Sequence, residues 1–129
     1  MLPPPVLALL SRPSTTPQTR AVGRGCHVIV FFGSSCGHCL IAADSFGKTS
    51  TWQEKERTLW LTTPEQSTRG VQELLGPGVV ILQLAGADTL LQVRRVPVAF
   101  AVDQKGRILE IGGLAAAEAT VKSREACNR

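Results

Sequence analysis

Four short apolar runs, separated by polar or glycine-rich segments, predict the main β-strands of the chain. The first run, at residues 27–32, is continuous, rich in β-branched and aromatic residues, and bounded by Gly25 and Gly33. A run of this kind is typical of a strand that is buried on both faces, at the centre of a helix-covered sheet. The further predicted strands are at residues 58–63, 79–84, 98–102 and, after a turn at 103–106, 107–111.

Segments with apolar residues at helical spacing follow these strands and predict the helices. Ser34 and Ser35 are the N-cap candidates of the first helix, and Thr63 is the N-cap candidate of the next long one, with proline at its first position. The predicted helices are at residues 36–46 (weakening at Gly47), 52–57, 64–75, 87–94 and 114–127. The order β-α-β-α-β-α-β-β-α predicts an α/β fold in which helices flank a mixed central sheet.

The amino-terminal segment differs from the rest of the chain. Residues 1–25 are rich in proline, serine and threonine and predict a loop-rich lead-in with one short edge strand at residues 6–10, whereas residues 26–129 predict one domain. The first residues have no basic region and three early prolines, so they do not predict a signal peptide. A cytosolic protein, and a protein whose signal or membrane anchor lies outside this sequence, both remain open.

Composition excludes several classes of protein. Of the 129 residues, 43% are hydrophobic and 19% are charged, which is a globular balance rather than a disordered one. The net charge is +4, but aromatic residues are 5% and tyrosine is absent, so no nucleic-acid partner is expected. The densest basic cluster, Arg94–Arg95, is either a solvated pair or a selector of acidic substrates.

Two cysteines, Cys36 and Cys39, carry the candidate chemistry because they lie where a buried strand turns into a helix. The first turn of a helix presents unpaired N–H groups and a positive dipole end, which stabilise a thiolate at Cys36. Cys39 is three residues further on and therefore within disulfide reach on the same helical face. An outer thiolate that attacks a disulfide and an inner thiol that resolves the mixed disulfide are what thiol–disulfide exchange requires.

His38 lies between the two cysteines, and its ring favours the Cys36 thiolate and so raises the reduction potential of the pair. Two alternatives remain. In the first alternative to exchange chemistry, the pair is a static buried disulfide. In the second, it is part of a metal site with Cys36, His38 and Cys39 as ligands. Against a metal, the chain offers no second cysteine or histidine motif to complete a tetrahedral set, so no metal is expected.

Over residues 26–126 the chain resembles the thioredoxin superfamily. The residues that carry the resemblance are the strand Val28–Phe32, the motif Cys36-Gly37-His38-Cys39, and Val96-Pro97 before the strand Val98–Val102. The Cys-Gly-His-Cys motif is similar to that of protein disulfide isomerases. The separation of Pro97 from Cys39 leaves room for an extra βα unit, which resembles the exported TlpA-type thioredoxins, including their MauD-like branch.

The resemblance implies a thioredoxin-like fold with that extra βα unit before a cis-proline strand. It implies that the Val96–Pro97 peptide bond is cis, that Pro97 faces the cysteine pair, and that the Val96 backbone pairs with an extended client. A proline that only starts a strand is the alternative reading of Pro97. The resemblance also favours a location outside the cytoplasm.

The sequence departs from the family pattern at three positions around the cysteines. Val30 replaces the buried acid that thioredoxins carry in the strand before the motif, and Ala42 stands where TlpA-like members often have a glutamate. The nearest carboxylate is that of Asp44, and Ser35 replaces the usual aromatic residue before the first cysteine. The missing acids leave deprotonation of Cys39 to water or His38 and imply slow turnover, whereas Ser35 makes the rim of the site more polar.

The two remaining cysteines, Cys26 and Cys127, are either a structural disulfide or two ordinary thiols. His27 begins a strand, and its expected role is structural.

The sequence therefore predicts a protein thiol–disulfide oxidoreductase with Cys36, Cys39 and His38 at its centre. It needs no cofactor, because electrons move through the cysteines themselves. Its expected partners are protein thiol or disulfide clients and an unidentified redox partner. The alternatives are a non-catalytic thioredoxin-like binding module and a redox sensor.

Overall fold

The computed structural model describes residues 1–10 and 25–128. Five strands and six α-helices are assigned there, followed by a short 3-10 helix at Glu125–Asn128. The strands are β1 (His27–Phe31), β2 (Thr58–Thr62), β3 (Val80–Gln83), β4 (Val98–Val102) and β5 (Ile108–Gly112). The helices are α1 (Pro4–Leu10), α2 (Gly37–Thr49), α3 (Trp52–Arg57), α4 (Arg69–Leu75), α5 (Ala87–Leu90) and α6 (Leu114–Ser123).

The strands form one mixed sheet in the order β3-β2-β1-β4-β5. Strand β1 pairs in parallel with β2, and β2 in parallel with β3, whereas β4 is antiparallel to both β1 and β5. Both β1 and β2 are buried along their whole length, as expected for central strands covered by helices on both faces. The mixed α/β sheet predicted from the sequence is confirmed, and β3 with α5 forms the extra βα unit before β4.

Alternate residues of the central strands bury their side chains on opposite faces of the sheet. Val28, Val30 and Trp60 belong to one apolar cluster, to which helices α2, α4 and α6 contribute. Ile29, Phe31 and their neighbours on β2 and β4 belong to a second cluster, which α1 and α5 cover. Helices on both faces therefore enclose the sheet, and the ends of the strands are left for the site.

The prediction of an edge strand at residues 6–10 is wrong, because residues 4–10 form helix α1. Val6 and Leu10 are four residues apart, so they share one face of the helix, and both are buried in the second cluster together with Leu2, which precedes the helix. Prolines at the start of this segment are compatible with the first turn of a helix. The rest of the expected lead-in, residues 11–24, lies outside the described residues, and the boundary at residue 25 stays a prediction.

Helix α2 runs through Gly47 without a break, contrary to the expected weakening there. A Cβ atom at Gly47 would meet the Leu74 carbonyl oxygen and the Leu75 backbone of α4. The glycine is needed because the two helices approach closely, not because the helix ends.

Four other elements differ from the prediction. Helix α4 begins at Arg69 with Thr68 as its N-cap, not at Pro64, because residues 63–66 form a turn in which the Gln66 amide donates to the Thr63 carbonyl. Strand β3 is an edge strand and only partly buried, not a third buried strand. Helices α5 and α6 are shorter than predicted, and the last predicted turns of α6 become the separate 3-10 helix.

Candidate active site

Cys36 is the N-cap of helix α2, directly after the loop that follows β1. Its backbone is extended (φ −95°, ψ 110°), and its Sγ accepts a hydrogen bond from the Cys39 amide at 3.1 Å. Ser34 and Ser35, the expected N-cap residues, therefore lie in the loop before the helix. A sulfur that accepts an N–H bond at a helix start is in a position where negative charge is stabilised.

The two sulfurs of the motif differ in their exposure. Cys36 is partly exposed, whereas Cys39 is fully buried in the first apolar cluster, which also contains Val30 and Trp60. The structure pairs the two cysteines as a disulfide, with their Cα atoms 5.1 Å apart. One sulfur faces solvent and the other faces the core, which is the asymmetry that exchange chemistry uses.

The polar groups of α2 provide no carboxylate for Cys39. His38 is exposed and makes no hydrogen bond with any of the described residues. Asp44 forms an ion pair with Lys48 at 3.0 Å on the exposed side of α2. Val30 is buried in the cluster around Cys39, so the position that holds an acid in thioredoxins contributes an apolar side chain here.

The loop before β4 lies against the cysteine pair. The Val96–Pro97 peptide bond is cis. The Val96 carbonyl oxygen is 3.5 Å from the Sγ of Cys36, although the two residues are 60 positions apart in the chain. The structure thus brings together Cys36, Cys39 and Val96, which the sequence singled out from two distant segments.

Gln66 is a residue of this region that the sequence analysis did not identify. Its Oε1 accepts hydrogen bonds from the amide and the hydroxyl of Ser34, at 2.8 and 2.7 Å, and so fixes the loop that leads to Cys36. Its own carbonyl accepts a bond from the Gln83 side chain at 3.0 Å. Ser34 and Gln66 follow β1 and β2, and the carboxyl ends of parallel strands meet at one edge of a sheet. That topology was the signal available in the sequence.

A pocket of about 280 Å³ opens at this edge of the sheet, beside Val96. Gly33 and Gln66 form part of its wall, and the adjacent arginines, Arg94 and Arg95, also line it. The pocket lies directly next to the segment that contacts Cys36 and is therefore available to whatever approaches that sulfur.

The second pair of cysteines lies near the other end of β1. Cys26 and Cys127 are joined by a disulfide, with Cα atoms 5.1 Å apart, which ties the 3-10 helix to the start of β1. Beside it, His27 is only 3% exposed, and neither of its ring nitrogens has a hydrogen-bond partner among the described residues. Burial lowers the pKa of His27 to about 4, so the ring is neutral near neutral pH. These features fit a structural role for all three residues.

Within residues 1–10 and 25–128, no cluster of three or more histidine, cysteine or carboxylate side chains is arranged to hold a metal ion. None of the described helices combines the length and the apolar character needed to cross a bilayer.

Comparisons with known proteins find similarity in structure but not in sequence. No protein-family model matches the chain, and no curated protein matches it. A thioredoxin-like protein from Aeropyrum pernix has a TM-score of 0.61 at 14% identity, with 79% of each chain covered. A putative thiol:disulfide interchange protein DsbE from Chlorobium tepidum has a TM-score of 0.54 at 18% identity, covering 81% of this chain and 79% of that one.

An exposed lipoprotein thioredoxin (Etrx1) from Streptococcus pneumoniae matches with a TM-score of 0.54 at 18% identity, covering 82% of this chain and 87% of that one. At this level of identity the similarity establishes the fold alone. The mixed five-stranded sheet and the helices on both of its faces agree with these neighbours. The chain therefore has the thioredoxin-like fold.

Proposed function

We propose that the protein is a thiol–disulfide oxidoreductase that exchanges disulfides with protein clients through Cys36 and Cys39. The observation that carries the proposal is the difference between the two sulfurs. Cys36 is partly exposed and lies beside the Val96 carbonyl, whereas Cys39 is fully buried one helical turn away. A client disulfide can reach only the first of them, and the second is within reach of the first.

The proposed reaction consists of two successive exchanges. The Cys36 thiolate attacks one sulfur of the client disulfide, a new S–S bond forms between Cys36 and the client, and the other client sulfur leaves as a thiolate. The Cys39 thiolate then attacks the Sγ of Cys36 and releases the first client sulfur. The client gains two electrons, and the Cys36–Cys39 pair loses two and becomes a disulfide. The reverse sequence oxidises a client dithiol.

The residues around Cys36 have distinct roles in this proposal. The Cys39 amide, 3.1 Å from the Sγ of Cys36, and the other free amides of the first turn of α2 stabilise the thiolate. His38 is exposed next to the pair and adds positive charge when it is protonated. Val96 and Pro97 form the surface on which an extended client segment lies, with the Val96 backbone as its hydrogen-bonding partner.

A location outside the cytoplasm is part of the proposal. The Cys26–Cys127 disulfide is of a kind that persists in oxidising compartments. One structural neighbour is an exposed lipoprotein, which agrees with such a location. Catalytic turnover then needs a second partner, a dithiol or disulfide protein, to reset the pair after each exchange.

A non-catalytic binding module is the second candidate, and the surroundings of Cys39 favour it. The Cys39 thiol is enclosed by apolar side chains, and Val30 and Ala42 supply no carboxylate to accept its proton. Without a proton acceptor the resolving step is slow, and a client remains bound through Cys36.

Reduction of insulin by dithiothreitol distinguishes the two candidates. An oxidoreductase accelerates the reaction, and Cys36→Ser abolishes the acceleration. The matched control is the double variant Cys26→Ser/Cys127→Ser, which removes the other disulfide and, under conditions where circular dichroism shows it folded, should retain the acceleration. A Cys39→Ser variant should accumulate a mixed disulfide with the client, detectable by mass spectrometry. A wild-type protein that does not accelerate the reaction would refute the enzymatic proposal.

The direction of electron flow follows from the reduction potential of the Cys36–Cys39 pair. A value near about −270 mV indicates a reductant, and a value between about −120 and −180 mV indicates an oxidant or isomerase. Equilibration with glutathione buffers measures it. A His38→Pro variant should have a lower potential, because the thiolate loses the nearby imidazole ring and its N–H donors.

A further inference from the structure

Two grooves meet at the segment that precedes Val96. The first is the pocket of about 280 Å³ beside Val96, which Arg94 and Arg95 line on one side and Glu65 and Asp88 line elsewhere. The second groove, of about 450 Å³, passes Pro97 and is lined by the same two arginines. Arg94 and Arg95 therefore form a ridge between two grooves, next to the residue that contacts Cys36.

Both arginines of this ridge are exposed, and neither has an ion-pair partner in the part of the chain that the structure describes. Other arginines are engaged: Arg57 pairs with Glu118, and Arg107 with Asp103. An unpaired guanidinium presents several N–H donors in a planar fork that fits a carboxylate.

Carboxylates lie on only one side of the arginine ridge, in the first pocket. Glu65 and Asp88 line the first pocket, but no described carboxylate lines the second groove. Hydrogen bonding, chiefly from the Thr63 side chain, holds the pKa of Glu65 below its usual range, so this carboxylate is ionised at neutral pH. A client segment that lies along the second groove, past Pro97, thus meets two positive charges and no described carboxylate.

We propose that Arg94 and Arg95 select clients that carry an aspartate or glutamate within a few residues of the target cysteine. The proposal rests on thiol–disulfide exchange at Cys36, as argued above. Electrostatic attraction of this kind acts mainly on the association rate and weakens as salt increases. An exposed ion pair changes affinity by about two- to fivefold, so each arginine should contribute a factor of that size.

The test uses three peptides that differ at one residue beside the cysteine, which is aspartate, asparagine or lysine. Each cysteine carries a 2-thiopyridyl group in a disulfide. The Cys36 thiolate attacks the peptide sulfur, and pyridine-2-thione leaves with the electron pair and is measured by absorbance. Cys39 then attacks the Sγ of Cys36 and releases the peptide thiolate, so the pair loses the two electrons that the peptide disulfide gains.

The reduced wild-type protein should react faster with the aspartate peptide than with the lysine peptide. Arg94→Gln or Arg95→Gln should each lower this preference by about two- to fivefold. Glu65→Gln should raise the preference, because it removes a negative charge from the first pocket. The matched control is Arg69→Gln, which removes one exposed positive charge outside both grooves and should keep the preference.

Equal rates with the aspartate and lysine peptides at low salt would overturn the selection of acidic clients. A preference that survives in the double variant Arg94→Gln/Arg95→Gln would overturn the role of the arginines. If none of the peptides reacts faster with the wild-type protein than with Cys36→Ser, the exchange reaction itself is refuted, which is a different result from an exchange without charge preference.

Discussion

Acidification should destabilise the protein through His27. This side chain is 3% exposed, has no hydrogen-bond partner for either ring nitrogen among the described residues, and has its pKa lowered by burial to about 4. In the unfolded chain the pKa is the usual 6.5. Below pH 6.5 the unfolded chain binds a proton that the folded protein does not yet bind, so the free energy of unfolding decreases as the pH is lowered.

The size of the effect follows from the two pKa values. At 1.36 kcal/mol for each pH unit that separates them, the folded protein loses about 3 kcal/mol in total. The loss begins near pH 6.5, reaches about 2 kcal/mol at about pH 5, and is nearly complete at about pH 4. Because small domains have unfolding free energies of about 5–15 kcal/mol, this loss is a large fraction of the total stability.

Urea unfolding of the oxidised protein, followed by tryptophan fluorescence between about pH 7.5 and about pH 4.5, measures the effect. His27→Leu removes the titrating group, so its unfolding free energy should depend much less on pH in this window. His38→Gln is the control, because it removes the other, exposed histidine and should keep the wild-type pH dependence. Equal pH dependence of the wild-type protein and His27→Leu would refute the argument.

Three further variants test contacts of the tertiary structure, each by urea unfolding. Gly47→Ala should destabilise the protein by about 1–3 kcal/mol, because the added Cβ meets the backbone of α4. The control Gly37→Ala should not, because a Cβ there has no neighbour within 4 Å. Equal effects of the two substitutions would contradict the close approach of α2 and α4. Cys26→Ser/Cys127→Ser opens a loop of 101 residues and should cost about 4–5 kcal/mol, and an unchanged midpoint would contradict the disulfide. Val6→Ala should cost about 2 kcal/mol if α1 belongs to the core, and a neutral effect would argue against it.

The predictions that agree with the structure concern segments whose pattern is local. The run at residues 27–32 predicted a buried central strand, and β1 is buried along its whole length. The strands β2 and β4 and the turn before β5 were equally clear, because a continuous β-branched run or an Asp-to-Gly turn fixes backbone conformation within a few residues. The CXXC motif at the junction of β1 and α2 followed from the same local pattern.

The predictions that were wrong concern segments whose conformation depends on distant neighbours. Residues 6–10 are apolar in a way that suits either a strand or a helix, and packing of Val6 and Leu10 on the sheet selects the helix. Gly47 predicts a weak point in an isolated helix, but here it permits contact with α4. Residues 64–67 have the pattern of a helix start. In the structure they precede the helix, and the Gln66 side chain accepts a hydrogen bond from the Ser34 amide.

The sequence by itself determined that a cysteine pair lies at a strand–helix junction and that a valine and a proline precede a later strand. Only the tertiary structure decided that Val96 lies against Cys36, that Gln66 holds the loop before it, and that Cys26 meets Cys127. These contacts join residues 60, 32 and 101 positions apart. Local patterns encode backbone hydrogen bonding over one or two turns, whereas contacts across the sheet depend on strand order and on how the helices pack against both faces.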